Sequence, residues 1–161
     1  MKLGIISDTH DNLDAVRDFV EIFKKEEIDF LIHAGDIVSP FVIDIFSQLR
    51  IPQKYVFGNN DGEKLFLKEK ISKIGDIKKG PILFEITGKK IILMHEPFEI
   101  DALAKSGKYN LIIYGHTHQF RSEKIDNTFI LNPGEGCGYL TGKKSAIIFN
   151  MKEETVEKIT L

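Results

Sequence analysis

Short apolar runs recur along the chain, and each stops abruptly at a polar group. Lys2 to Ser7 ends at Asp8-Thr9-His10, Phe30 to Ala34 at Gly35-Asp36, and Lys54 to Phe57 at Gly58-Asn59-Asn60-Asp61. Lys90 to Met94 then ends at His95, and Asn110 to Tyr114 at Gly115-His116-Thr117-His118. Continuous apolar runs bounded by glycine and polar residues read as strands buried on both faces. Pro81 to Thr87, Phe120 to Ile125, Thr128 to Leu131, Ser145 to Asn150 and Thr155 to Leu161 read as further strands.

Helical patterns lie between the early strands. After Asp11-Asn12, which reads as an N-cap, Leu13, Val16, Phe19, Val20 and Phe23 form one helical face. Ser39-Pro40 to Leu49 repeats the signal, with a cap and then proline at the first helical position. Glu63 to Ile71 and Glu99 to Ser106 are weaker helices. Alternating strand and helix imply parallel strands in the first half. From residue 81 the strands crowd together, and Thr87-Gly88-Lys89 and Asp126-Asn127 read as hairpin turns. The expectation is an α/β fold with a mixed sheet, or two stacked sheets, and helices outside.

Composition narrows the classes. With 161 residues, the prior is one domain spanning 1–161. There are 24 acidic and 22 basic side chains, a formal charge of −2, which argues against a basic nucleic-acid arm or a polybasic membrane patch. No apolar run approaches the roughly 20 residues of a membrane span, and Met1 leads straight into a strand-like run rather than a signal sequence. The single cysteine, Cys137, suggests a reducing, cytoplasmic setting.

In parallel α/β sheets, ligands bind beyond the carboxyl ends of the strands. Five strand-like runs each deliver a ligand-type residue there: Asp8, His10, Asp36, Asn59, His95, His116 and His118. Asp8 and His10 are two apart, as are His116 and His118, a spacing that points side chains the same way in extended backbone. Seven such side chains exceed the three or four a zinc ion takes and suit two metals sharing a carboxylate. Two divalent ions bring +4 and the two aspartates −2, so a cationic, phosphate-selecting pocket forms in a chain of net −2. His33 lies inside a strand and reads as a core or supporting group. Gly134 to Gly138 fits neither dinucleotide nor P-loop spacing and reads as a turn-rich loop, or else as a lining of the pocket or an interface.

Taken together, Asp8-x-His10, Gly35-Asp36, Gly58-Asn59-Asn60-Asp61, His95 and Gly115-His116-x-His118 resemble the ordered motifs of the calcineurin-like metallophosphoesterases. With Asn132-Pro133-Gly134 following, the chain looks most like the small YfcE-like phosphodiesterase branch. The resemblance implies a four-layer α/β/β/α sandwich of two mixed sheets flanked by helices. It also implies two divalent ions, one held by Asp8, His10 and His118, the other by Asn59, His95 and His116, with Asp36 bridging. Many members carry histidine where this chain has Asn60, and glycine where it has Glu96.

The implied activity is hydrolysis of a small phosphodiester by a water or hydroxide bridging the metals. Asn60 would clamp a phosphoryl oxygen and His118 or His116 would orient the pocket. Asn60 cannot donate a proton at neutral pH, so aryl diesters should outperform alkyl monoesters. Nitrogen and oxygen donors suit Mn²⁺, the favoured ion, and also Ni²⁺, Co²⁺, Fe²⁺ or Zn²⁺. The competing readings are a non-catalytic scaffold of this fold, or a nuclease on short oligonucleotides. No membrane or stable nucleic-acid partner is expected, and the resemblance suggests a homodimer or homotetramer.

Overall fold

The computed structural model describes residues 1–161. Strand β1 (Lys2–Ile6) leads into α1 (Leu13–Lys25), β2 (Phe30–His33), α2 (Phe41–Phe46), β3 (Gln53–Phe57), α3 (Lys64–Ile71) and β4 (Gly75–Lys79). The second half runs β5 (Ile82–Ile86), β6 (Lys89–Leu93), α4 (Ile100–Lys105), β7 (Leu111–Ile113), β8 (Phe120–Ile125), β9 (Thr128–Pro133), β10 (Ser145–Asn150) and β11 (Thr155–Thr160).

Two sheets result. One has the order β11-β10-β1-β2-β3-β4, the other β5-β6-β7-β9-β8. Strands β1 to β4 are mutually parallel, as are β6, β7 and β9; the remaining pairings are antiparallel.

The layering follows from side-chain alternation along each strand. Leu3 and Ile5 of β1 join Ile91 and Leu93 of β6, Leu111 and Ile113 of β7, and Phe149 of β10 in a core between the sheets. Ile6, on the opposite face, packs with Val16, Phe19 and Phe23 of α1 and Phe46 of α2. Ile92 and Ile112 pack instead under Ile100 and Ala104 of α4. Three apolar layers between four of backbone make the α/β/β/α sandwich with two mixed sheets that the sequence implied.

Helix α1 forms as its pattern demands. Asn12 Oδ1 accepts from the Ala15 amide at 3.2 Å, Asp14 sits in the first turn, and Lys24 and Lys25 in the last. Helix α2 is shorter than expected. It ends at Phe46, tightens into a 3₁₀ turn over Ser47–Leu49, and closes at Arg50 with φ 53°. Pro40 occupies its N-cap rather than its first turn. Strand β4 carries no apolar run. It is an edge strand with Ile77 as its one buried residue, and the parallel pairing to β3 holds it. No helix is long and apolar enough to cross a membrane.

Candidate metal centre

All seven sequence-derived ligands lie at carboxyl ends of parallel strands. Asp8 and His10 follow β1, Asp36 follows β2, and Asn59 follows β3. From the other sheet, His95 follows β6, and His116 and His118 follow β7. The site therefore sits on the seam where the two sheets meet.

The donor atoms fall into two sets. In the first, Asp8 Oδ1 lies 3.9 Å from His10 Nε2 and 3.4 Å from His118 Nε2. In the second, Asn59 Oδ1 lies 2.9 Å from His95 Nε2 and 3.0 Å from His116 Nδ1. Asp36 Oδ2 belongs to both, 3.4 Å from His10 Nε2 and 3.4 Å from His95 Nε2.

This arrangement fits divalent ions. Asp8 Oδ1 and His10 Nε2 are buried atoms with no hydrogen-bond partner. An orphaned buried carboxylate oxygen is costly unless a donor or a cation meets it. Burial raises the pKa of Asp8, the cost expected of a charge awaiting a counter-ion. At Asp36 burial acts the same way, but in the metal-free chain a protonated His95 and hydrogen bonds from Asn60 outweigh it and hold the carboxyl well below the usual range. Two glycines keep this space open. A Cβ on Gly58 would lie 2.1 Å from Asp36 Oδ1, and one on Gly115 2.8 Å from Asp8 Oδ2.

Histidine tautomers are set from behind. His95 Nδ1 donates to the Ala34 carbonyl at 2.8 Å, which leaves Nε2 facing Asp36 and Asn59. His118 Nδ1 donates to Glu135 Oε2 at 2.7 Å, which leaves Nε2 facing Asp8. His33 is the supporting group its position implied. It is wholly buried, accepts from the Gly35 amide at Nδ1 and meets Thr9 Oγ1 at Nε2.

Three observations revise the sequence reading. Asp8, His10, Asp36, His116 and His118 are not extended: their φ values are 53°, 39°, 58°, 66° and 58°. Left-handed turns after the strand ends, rather than pleat alternation, bring the paired ligands together. Asn60 Nδ2 donates to Asp36 Oδ2 at 2.8 Å and its backbone amide to Oδ1 at 2.8 Å. The residue thus braces the shared carboxylate, a contact additional to the phosphate clamp expected of it. The Gly134–Gly138 loop is more than a turn, because Glu135 within it is wholly buried. Besides His118, Glu135 accepts from the Thr141 hydroxyl at 2.5 Å and the Leu140 amide at 3.2 Å. Burial opposes its charge, but these bonds prevail and lower its pKa to about 2.

Glu135 was missed although β9 runs into Gly134-Glu135 much as β2 runs toward Gly35-Asp36. The same strand-end rule would have found it. Cys137 is also close, its sulfur and the ring nitrogens of His10 and His118 lying within 4.8 Å of one another. Burial pushes this thiol up to about 12 in the metal-free chain.

A model of the calcineurin-like phosphoesterase superfamily domain matches residues 1–154. The chain belongs to that superfamily. It is 41% identical over 165 residues to phosphodiesterase MJ0936 of Methanocaldococcus jannaschii, covering 100% of this chain and 99% of the relative. A solved structure described as a novel archaeal phosphodiesterase superposes with a TM-score of 0.94 at 40% identity, covering all of both chains. The phosphoesterase YfcE from E. coli shares the fold, with a TM-score of 0.68 at 18% identity over 99% of this chain and 98% of that one. Membership agrees with the expected hydrolase of the metallophosphoesterase class.

Proposed function

We propose that this protein is a metal-dependent phosphodiesterase with a dinuclear centre. The observation that carries the reading is the pair of donor sets sharing Asp36. Asp8, His10 and His118 would hold one ion, and Asn59, His95 and His116 the other. Bound divalent ions would supply Lewis acidity toward the phosphoryl oxygens and a water nucleophile active near neutral pH.

The chain's own groups do the positioning. Glu135 and the Ala34 carbonyl keep the imidazole lone pairs of His118 and His95 turned inward. Asn60 holds Asp36 from the open side. No residue placed here acts as a proton donor to a leaving oxygen, which favours diesters with good leaving groups, aryl esters above all. The Asp, Asn and His donor set suits Mn²⁺, our preferred ion, and the single buried cysteine suits a cytoplasmic setting.

The test is to titrate Mn²⁺ into metal-free protein and assay bis-p-nitrophenyl phosphate, with His116→Ala as control. The expected result is metal-dependent turnover with two ions per chain. Absence of turnover with less than one bound ion per chain would favour a scaffold.

A further inference from the structure

An open cavity of about 700 Å³ adjoins the metal centre on its Asn59 and His95 side. That volume lies within the range of small-molecule sites. Its walls come from three segments: the end of β3 with the start of α3, the β4–β5 corner, and the loop after β6. Asn59 and His95 line both the cavity and the centre, so the cavity opens directly beside the place where the metals would hold a phosphate.

The lining has a definite chemistry. Phe57, Pro81, Pro97 and Phe98 give apolar surface, and Phe98 stands 70% exposed. Lys64 and Lys79 bracket Phe57. The Lys64 ammonium lies 5.7 Å from the Phe57 ring centre, and Lys79 is the residue paired with Phe57 across β3 and β4. Nearby lysines are spoken for: Lys54 and Lys78 pair with Asp76, and Lys70 with Asp44. Lys64 and Lys79 make no ion pair. Glu96 contributes one negative charge, so two ammoniums and one carboxylate leave the lining at +1.

We propose that this cavity binds one ester arm of the phosphodiester, and that the arm is an aromatic ring carrying an anionic substituent. The ring lies against Phe57 and Phe98, and the anion lies between Lys64 and Lys79. The proposal rests on the phosphodiesterase reading and adds a substrate class to it.

Two diesters with one leaving group test it: p-nitrophenyl phenyl phosphate and p-nitrophenyl 4-carboxyphenyl phosphate. The expected wild-type preference for the carboxylated compound is about fivefold in kcat/KM at low salt, carried by KM. In the double variant K64A/K79A the ratio falls to about one, in Lys78→Ala it is kept, and in Glu96→Gln it rises. Calorimetry on the Mn²⁺-loaded protein with phenylphosphonate and 4-carboxyphenylphosphonate supplies a second readout. Tighter binding of the carboxylated phosphonate, lost in K64A/K79A, supports the cavity even if neither diester turns over, in which case only the phosphodiesterase reading fails. Equal binding of the two phosphonates, or a ratio unchanged in K64A/K79A, overturns the proposal.

Discussion

Glu135 Oε2 lies 2.7 Å from His118 Nδ1, so a carboxylate with no solvent exposure decides which nitrogen of a metal-facing imidazole carries the proton. Glu135→Gln places an amide where the backbone N–H groups of Leu140 and Thr141 now find a carboxylate. Affinity for Mn²⁺ is expected to fall roughly 10- to 100-fold. Calorimetric titration measures it, and thermal unfolding without metal separates lost affinity from lost fold. Unchanged affinity in a folded variant would show that the His118 ring needs no such support.

Metal should stabilise the chain, because bound ions would satisfy the atoms of Asp8 and His10 that lack a hydrogen-bond partner. At a free Mn²⁺ concentration about 100 times the Kd, the gain is about 2.7 kcal/mol. For a chain of this length that raises Tm by roughly 5–10 °C. Scanning calorimetry with and without chelator checks the figure, and His10→Ala should reduce the gain.

Asp61 lies near the site and takes no part in ligation. Its Oδ1 accepts from the Ile37 and Val38 amides and its Oδ2 from the Gly58 amide, each at 2.7 Å. It ties the loop after β2 to the loop after β3, the segments that deliver Asp36 and Asn59. Asp61→Ala strands three amides and is expected to cost about 3 kcal/mol, read as a shift in urea midpoint. Asp61→Asn, which keeps two of the three acceptor contacts, should lose less.

His33 makes metal-free stability pH-dependent. Burial lowers its pKa from 6.5 to about 3, so the folded state leaves the ring neutral where the unfolded chain protonates it. Its contribution is fully present above pH 6.5 and is lost as pH falls from 6.5 toward 3. The slope is at most about 1.4 kcal/mol per pH unit. Urea unfolding between pH 7 and pH 5 measures it. His33→Gln should flatten the profile, and an unchanged slope would assign it to other groups.

Asn60→His introduces an imidazole beside Asp36. If a missing acid limits leaving-group departure, monoesterase activity should rise relative to diesterase activity, by roughly tenfold or more. A comparison of p-nitrophenyl phosphate with the bis ester measures this ratio. No change would show that a missing acid at position 60 does not limit leaving-group departure.

The centre was more legible in the sequence than the frame around it. Each ligand closes an apolar run, and a parallel sheet carries such residues to one edge, so order and spacing sufficed for His95 and Asp36. Strand β4 was hidden because it is an edge strand with only Ile77 buried, so it carries no apolar run to mark it. The α2 boundary was hidden because a 3₁₀ turn continues the apolar spacing of an α-helix. The role of Asp61 was hidden because its partners are amides, which every residue but proline has. The unpaired lysines beside Phe57 gave no signal in the sequence, since their isolation from acids is a fact of three dimensions.

The left-handed backbone at Asp8, His10, Asp36, His116 and His118 has a consequence for how this chain can change. Such conformations cost of order 1 kcal/mol or more each in non-glycine residues. A lineage released from the need for metal would gain stability by replacing these residues with glycine, and every such step would erase a ligand. Selection for robustness and selection for chemistry therefore pull in opposite directions at the same five positions. This chain keeps all five side chains at positions where its own backbone would favour glycine.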